Sequence, residues 1–99
     1  MRPFELEGKT VVETKARIVG KISGIEIDIS TWKVTSLHVE LTDEFIDILG
    51  YKKPFMGHIE ILISVDAVQA VADVVTLNKA TEELKDVIEP PKRAAVLTN

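Results

Sequence analysis

Residues 18–41, IVGKISGIEIDISTWKVTSLHVEL, divide into two runs of strand-like pattern around Ser30-Thr31-Trp32-Lys33. The first run is rich in β-branched residues, the second alternates apolar with polar, and the break between them can turn the chain, which predicts a long β-hairpin. In the first arm the apolar phase runs through Ile18 and Ile22 and then shifts to Ile25, Ile27 and Ile29. A one-residue slip of that kind is what a β-bulge near Ser23-Gly24 produces, and bulges bend strands as a small closing sheet requires. In the second arm Leu37, Val39 and Leu41 share one face, opposite Ser36, His38 and Glu40.

The flanking segments carry weaker versions of the same patterns. Phe4 and Leu6, then Val12, alternate around Gly8 and predict a short lead-in followed by a strand over residues 10–14. After the hairpin, Thr42 or Asp43 can cap a short helix in which Phe45, Ile48 and Leu49 fall at helical spacing and which Gly50 ends. A loop over residues 51–57 contains Pro54, and residues 58–65, HIEILISV, read as the most apolar strand, with Ile59, Ile61, Ile63 and Val65 on one face and Leu62 on the other. Residues 66–72 predict a brief helical turn and 73–77 a last short strand. Over residues 78–88, Leu77, Ala80, Leu84, Val87 and Ile88 recur at three- and four-residue steps and predict a helix that Pro90-Pro91 stop. The resulting expectation is a mainly β fold: a small, bent, closed or nearly closed barrel of five or six strands with a short helix after strand 3 and a C-terminal helix. Ile22, Ile27, Leu37, Val39, Ile61 and Ile63 are expected in its core. Residues 1–90 form the expected domain and 91–99 a flexible tail.

Composition narrows the function more than the fold. At 99 residues with 28% charged residues and 5% aromatics, the chain is one ordinary globular unit whose core falls to Val, Ile and Leu. Net charge is −4 and the twelve Lys and Arg are scattered, so the basic footprint of nucleic-acid binding is missing. There is no cysteine, which removes disulfides, thiolate metal sites and thiol catalysis. The opening MRPFELEGK lacks an apolar signal core and no run reaches the roughly 20 apolar residues of a membrane helix, so a cytoplasmic location without direct membrane insertion is the default expectation.

Candidate chemistry is sparse. His38 and His58 sit on or beside predicted strands without acidic neighbours at metal-ligand spacing, so no metal is assigned. Asp43-Glu44 and Glu82-Glu83 fall in predicted helix first turns, where carboxylates complement the dipole. The glycines of VGKISG continue as a strand and open no phosphate-binding helix. No nucleophile, base and orienting group converge, so neither a cofactor nor an enzymatic activity is assigned. Trp32 at the hairpin turn is either a contact residue or a plug over a barrel end. Tyr51 and Phe55, in the loop after the short helix, are candidate partner-binding aromatics beside it. Phe45, Ile48 and Leu49 on the helix, with Leu62 on the back of its strand, offer apolar surface for self-association as a C2 homodimer.

The segments EGKTVVETKARIVGKISGIEID, TWKVTSLHVEL and SVDAVQAVADVVTL together resemble the PRC-barrel domain over residues 5–77. Gly8 and Val11 match the family's G-x-x-V segment, Val19 to Ile22 its V-G-x-V/I segment, and Val68 to Leu77 its closing apolar segment around Asp73. Two departures occur there: Ala72 stands where glycine is common, and Ser64-Val65 where a proline is expected. The resemblance implies a bent barrel that serves as a non-catalytic adaptor. Within the family the chain looks most like the stand-alone archaeal group called CdpB, which implies binding to the membrane anchor SepF, a link to the FtsZ ring, and recruitment to the division site at the inner face of the membrane. The alternative is an adaptor in ribosome or RNA maturation, similar to the C-terminal domain of RimM. A RimM-like protein is expected to be longer, with a separate N-terminal domain.

Overall fold

The computed structural model of the chain describes residues 3–52 and 57–89. One helical turn, α1 (Pro3–Leu6), precedes strand β1 (Thr10–Val12), and β2 (Ile18–Asp28) and β3 (Lys33–Leu41) form the predicted hairpin. Helix α2 (Asp43–Leu49) follows, then β4 (Glu60–Ser64), a 3-10 turn (Val65–Ala67), β5 (Val68–Val71) and β6 (Val74–Leu77). A single turn of helix, α3 (Thr81–Leu84), leads to β7 (Ile88–Glu89). The strands make one seven-stranded sheet in the order β5-β6-β1-β2-β3-β4-β7. The β1–β6 pair is parallel and the other ladders are antiparallel. The fold is thus mainly β and of the small PRC-barrel-like kind that the sequence suggests.

The local reasons are mostly those the pattern implies. The hairpin register slips between Ile22 and Gly24, leaving Ser23 as the bulge, and a second slip between Glu26 and Ile27 adds twist toward the tip. Thr42 caps α2 by accepting a hydrogen bond from the Phe45 N–H at 3.2 Å, and Gly50 closes it with φ 82°, a left-handed angle that glycine adopts freely. Gly20 answers a different need. A Cβ there would lie 2.1 Å from the Glu40 carbonyl oxygen, so β2 reaches its observed distance from β3 only because the side chain is missing.

The core gathers Val11, Val19, Ile22, Leu37, Val39, Leu41, Ile61, Ile63, Val75 and Leu77 from the sheet, with Phe45 and Leu49 from α2 and Leu84 from α3. Several expectations change here. Ile27, expected inside, is 39% exposed and Ile29 is 74% exposed. β4 pairs with β3 only over Ser36 to Glu40, so the hairpin runs on past its paired neighbour and its tip is largely exposed. In β1 it is Val11, rather than Val12, that faces the core completely. The strand also stops at Val12 instead of continuing to residue 14.

The predicted helix over residues 78–88 shrinks to α3, because the chain turns over Lys85 to Val87 and adds β7 to the outer edge of β4. The residues expected to serve self-association, Phe45, Ile48, Leu49 and Leu62, are placed as follows within the chain. Phe45 and Leu49 are buried in the chain's own core, Ile48 and Leu62 are half-buried, and β7 pairs directly beside Leu62. The helical turn expected over residues 66–72 becomes a 3-10 turn followed by β5. The proposed tail at 91–99, like Phe55, lies outside the described residues.

Candidate interaction surface

The tip of the β2–β3 hairpin is built by its own short-range hydrogen bonds. Asp28 Oδ1 accepts from the Ser30 N–H at 2.9 Å and from the Ser30 hydroxyl at 2.7 Å. The Asp28 carbonyl accepts from the N–H groups of Thr31 at 3.2 Å and Trp32 at 2.6 Å. The bonds to its carboxylate, that from the Ser30 hydroxyl foremost, hold the Asp28 carboxyl below its ordinary range. At the same turn Trp32 takes φ 58°. A bulky residue in the left-handed region costs on the order of 1–2 kcal/mol, which a glycine would avoid.

Trp32 is nonetheless 77% exposed and Ile29 74%, so the strained position carries a large side chain that the fold itself barely uses. With Ile27 they make an apolar projection beyond the end of β4. The sequence singled out Trp32. Ile27 and Ile29 were missed as surface residues because their alternation reads as a buried strand face. Tyr51 does not join them: it is half-buried, packs against the core at the end of α2, and burial raises its hydroxyl pKa. Its backbone N–H bonds the Ile46 carbonyl at 3.0 Å, which makes it part of the α2 terminus.

The polar face of the sheet beside the hairpin is acidic. His38 Nε2 lies 2.9 Å from Glu26 Oε1, its Nδ1 lies 3.6 Å from Glu60 Oε1, and His58 Nδ1 lies 3.2 Å from Glu40 Oε2. Strand pairing thus brings each histidine an acidic neighbour from an adjacent strand. Among the described residues, no group of three or more His, Cys, Asp or Glu side chains is arranged to hold a metal ion.

Among the described residues Glu13 is the buried ionisable side chain, 1% exposed, and sequence reading passed over it. Its Oε1 accepts from the N–H groups of Lys15 at 2.6 Å and Arg17 at 3.1 Å. Its Oε2 accepts from the Thr81 N–H at 3.0 Å and the Thr81 hydroxyl at 2.8 Å. Burial pushes this carboxyl up, but the bonds from Arg17, the Thr81 hydroxyl, Lys15 and the Thr81 N–H outweigh it and hold the pKa below the ordinary glutamate value. Every acceptor position is committed to the protein, so Glu13 ties the β1–β2 turn to α3 and has nothing left for a substrate. An available signal was phase: Glu13 is two residues from Val11 and so shares its inward face.

A cavity of about 460 Å³ opens between the 3-10 turn and the turn before β7, lined in part by Asp66, Lys79, Asp86 and Ile88. It is partly open to solvent. No helix among the described residues is long and apolar enough to cross a membrane. No curated protein matches the chain. The family model of the PRC-barrel domain matches residues 1–84.

Proposed function

The chain belongs to the PRC-barrel domain family, a family of small non-catalytic, adaptor-type domains, and on that premise we propose that it grips a partner protein with the tip of its β2–β3 hairpin. One observation carries this reading: Trp32, 77% exposed, occupies a left-handed backbone position that folding alone would give to glycine. Strain of this kind persists where function requires it, and tryptophan is enriched among the few residues that dominate protein interfaces. Ile29 and Ile27 widen the apolar contact, and the acidic sheet face beside them favours a partner with basic residues around an apolar socket.

The likeness of the sequence to the CdpB group selects the partner to try first. In this reading the chain is a division-site adaptor that holds the membrane anchor SepF and through it the FtsZ ring.

The test is calorimetric titration of the chain with purified SepF. Wild type is expected to bind, and Trp32→Ala to bind tenfold or more weakly, about 1.4 kcal/mol. Trp32→Gly serves as the control for folding. It removes the same side chain but relieves the positive φ, so it should be more stable than Trp32→Ala by about 0.5–1 kcal/mol while binding equally poorly. No binding by wild type would remove SepF as the partner, and full binding by both variants would remove the hairpin tip as the site.

A further inference from the structure

The structure assigns Asp28 the part of a positioning residue: its carboxylate fixes the β2–β3 turn so that Trp32 is already held in place before a partner arrives. This deepens the hairpin-tip reading and rests on it. Asp28 is the last residue of β2 and pairs with Lys33, the first of β3, so the turn over residues 29–32 opens and closes at this one pair. Both the carboxylate and the carbonyl of Asp28 bond within that turn. Oδ1 accepts from the Ser30 N–H at 2.9 Å and the Ser30 hydroxyl at 2.7 Å, the two-residue reach of an Asx turn. The carbonyl accepts from the Trp32 N–H at 2.6 Å. The carboxylate therefore fixes the leading half of the turn, and the carbonyl ties its trailing half to the same residue.

Core packing does little to choose this turn's conformation. Ile29, Ser30, Thr31 and Trp32 are all exposed, and the pairing of β3 with β4 stops at Ser36. Intrinsic preference works against it, because Trp32 sits at φ 58°, where a large side chain is strained. Local bonds must supply what packing does not. The Asp28 carboxyl is held below its ordinary range and is ionised at neutral pH, so the bonds from Ser30 are charge-assisted. Without them the turn samples more conformations, and Trp32 has to be ordered at the moment of binding. That ordering is a cost drawn from affinity, which a turn fixed beforehand avoids.

Nitrogen-15 relaxation of the free chain, joined to calorimetric titration with SepF, tests it. In wild type the Trp32 amide is expected near the rigid-backbone order parameter of about 0.85, and in Asp28→Ala below about 0.6. Asp28→Asn is expected to restore the wild-type value, because its amide oxygen still accepts from Ser30. SepF affinity should follow the same order, with Asp28→Ala weaker by about fivefold or more and Asp28→Asn close to wild type. Both variants should keep a thermal midpoint close to wild type, since Asp28 is exposed and outside the core. An ordered Trp32 amide in Asp28→Ala overturns the inference. So does an Asp28→Asn variant that binds as weakly as Asp28→Ala, which marks the carboxylate as a direct contact to a basic partner. Should wild type not bind SepF, that choice of partner fails, and the order parameters of the free chain alone decide the positioning role.

Discussion

Replacing Glu13 by glutamine removes one charge and almost no volume, and the structure makes that small change costly. The carboxylate accepts four hydrogen bonds, two on each oxygen. Glutamine keeps one acceptor oxygen and turns the other into an NH₂ that must face donors. If it faces Lys15 and Arg17, two N–H groups lose their acceptor. If it faces Thr81, the hydroxyl can rotate to accept but the Thr81 N–H is stranded. Leaving one buried donor unpaired costs about 1–3 kcal/mol. Bonds to the remaining neutral oxygen also weaken, since charge-assisted bonds are about twice as strong as neutral ones. Together these put Glu13→Gln at about 2–4 kcal/mol, or a fall in Tm of roughly 10–25 °C for a domain of this size.

Urea denaturation at neutral pH measures the cost directly, and a pH series gives its origin. The folded pKa of Glu13 lies below the ordinary 4.5, so its stabilisation is complete above the unfolded value and is lost as pH falls through the folded one. The gap between wild type and Glu13→Gln should therefore hold from neutral pH down to about 5 and narrow below about 4. A cost under about 0.5 kcal/mol, the size of an ordinary surface change, would refute the account of Glu13 as a structural tie.

The remaining predictions concern packing. Gly20→Ala forces a methyl against the Glu40 carbonyl at 2.1 Å and should cost about 1–3 kcal/mol or more by separating β2 from β3, read as a lowered denaturation midpoint. Ile61→Ala, at a position 2% exposed, should cost about 2–5 kcal/mol. Ile27→Ser, on the free part of the hairpin, should change stability by under about 1 kcal/mol, and a larger loss would mean that the tip is packed after all.

Much of this architecture is determined by the sequence alone, because its causes are local. Alternation in residues 18–41 sets the hairpin, the phase slip at Ser23-Gly24 sets the bulge, and Thr42 and Gly50 bound α2 through bonds reaching only three or four residues. The adaptor character was also legible, through the family motifs that cluster at Gly8, Gly20 and the closing apolar segment. Trp32 stood out for its rarity and its place at a turn. What needed the tertiary structure depends on which distant segments meet. Periodicity cannot say where a strand runs out of neighbours, so Ile27 and Ile29 looked like core until β4 was seen to stop short of them. It cannot say that the last residues leave a helical pattern to cover β4, a choice made by unpaired backbone on another strand. Glu13 is the clearest case: its four donors come from the next few residues and from Thr81, 68 positions away. Only the parallel pairing of β1 with β6, which carries α3 back to the β1–β2 turn, turns an unremarked glutamate into the buried tie between them.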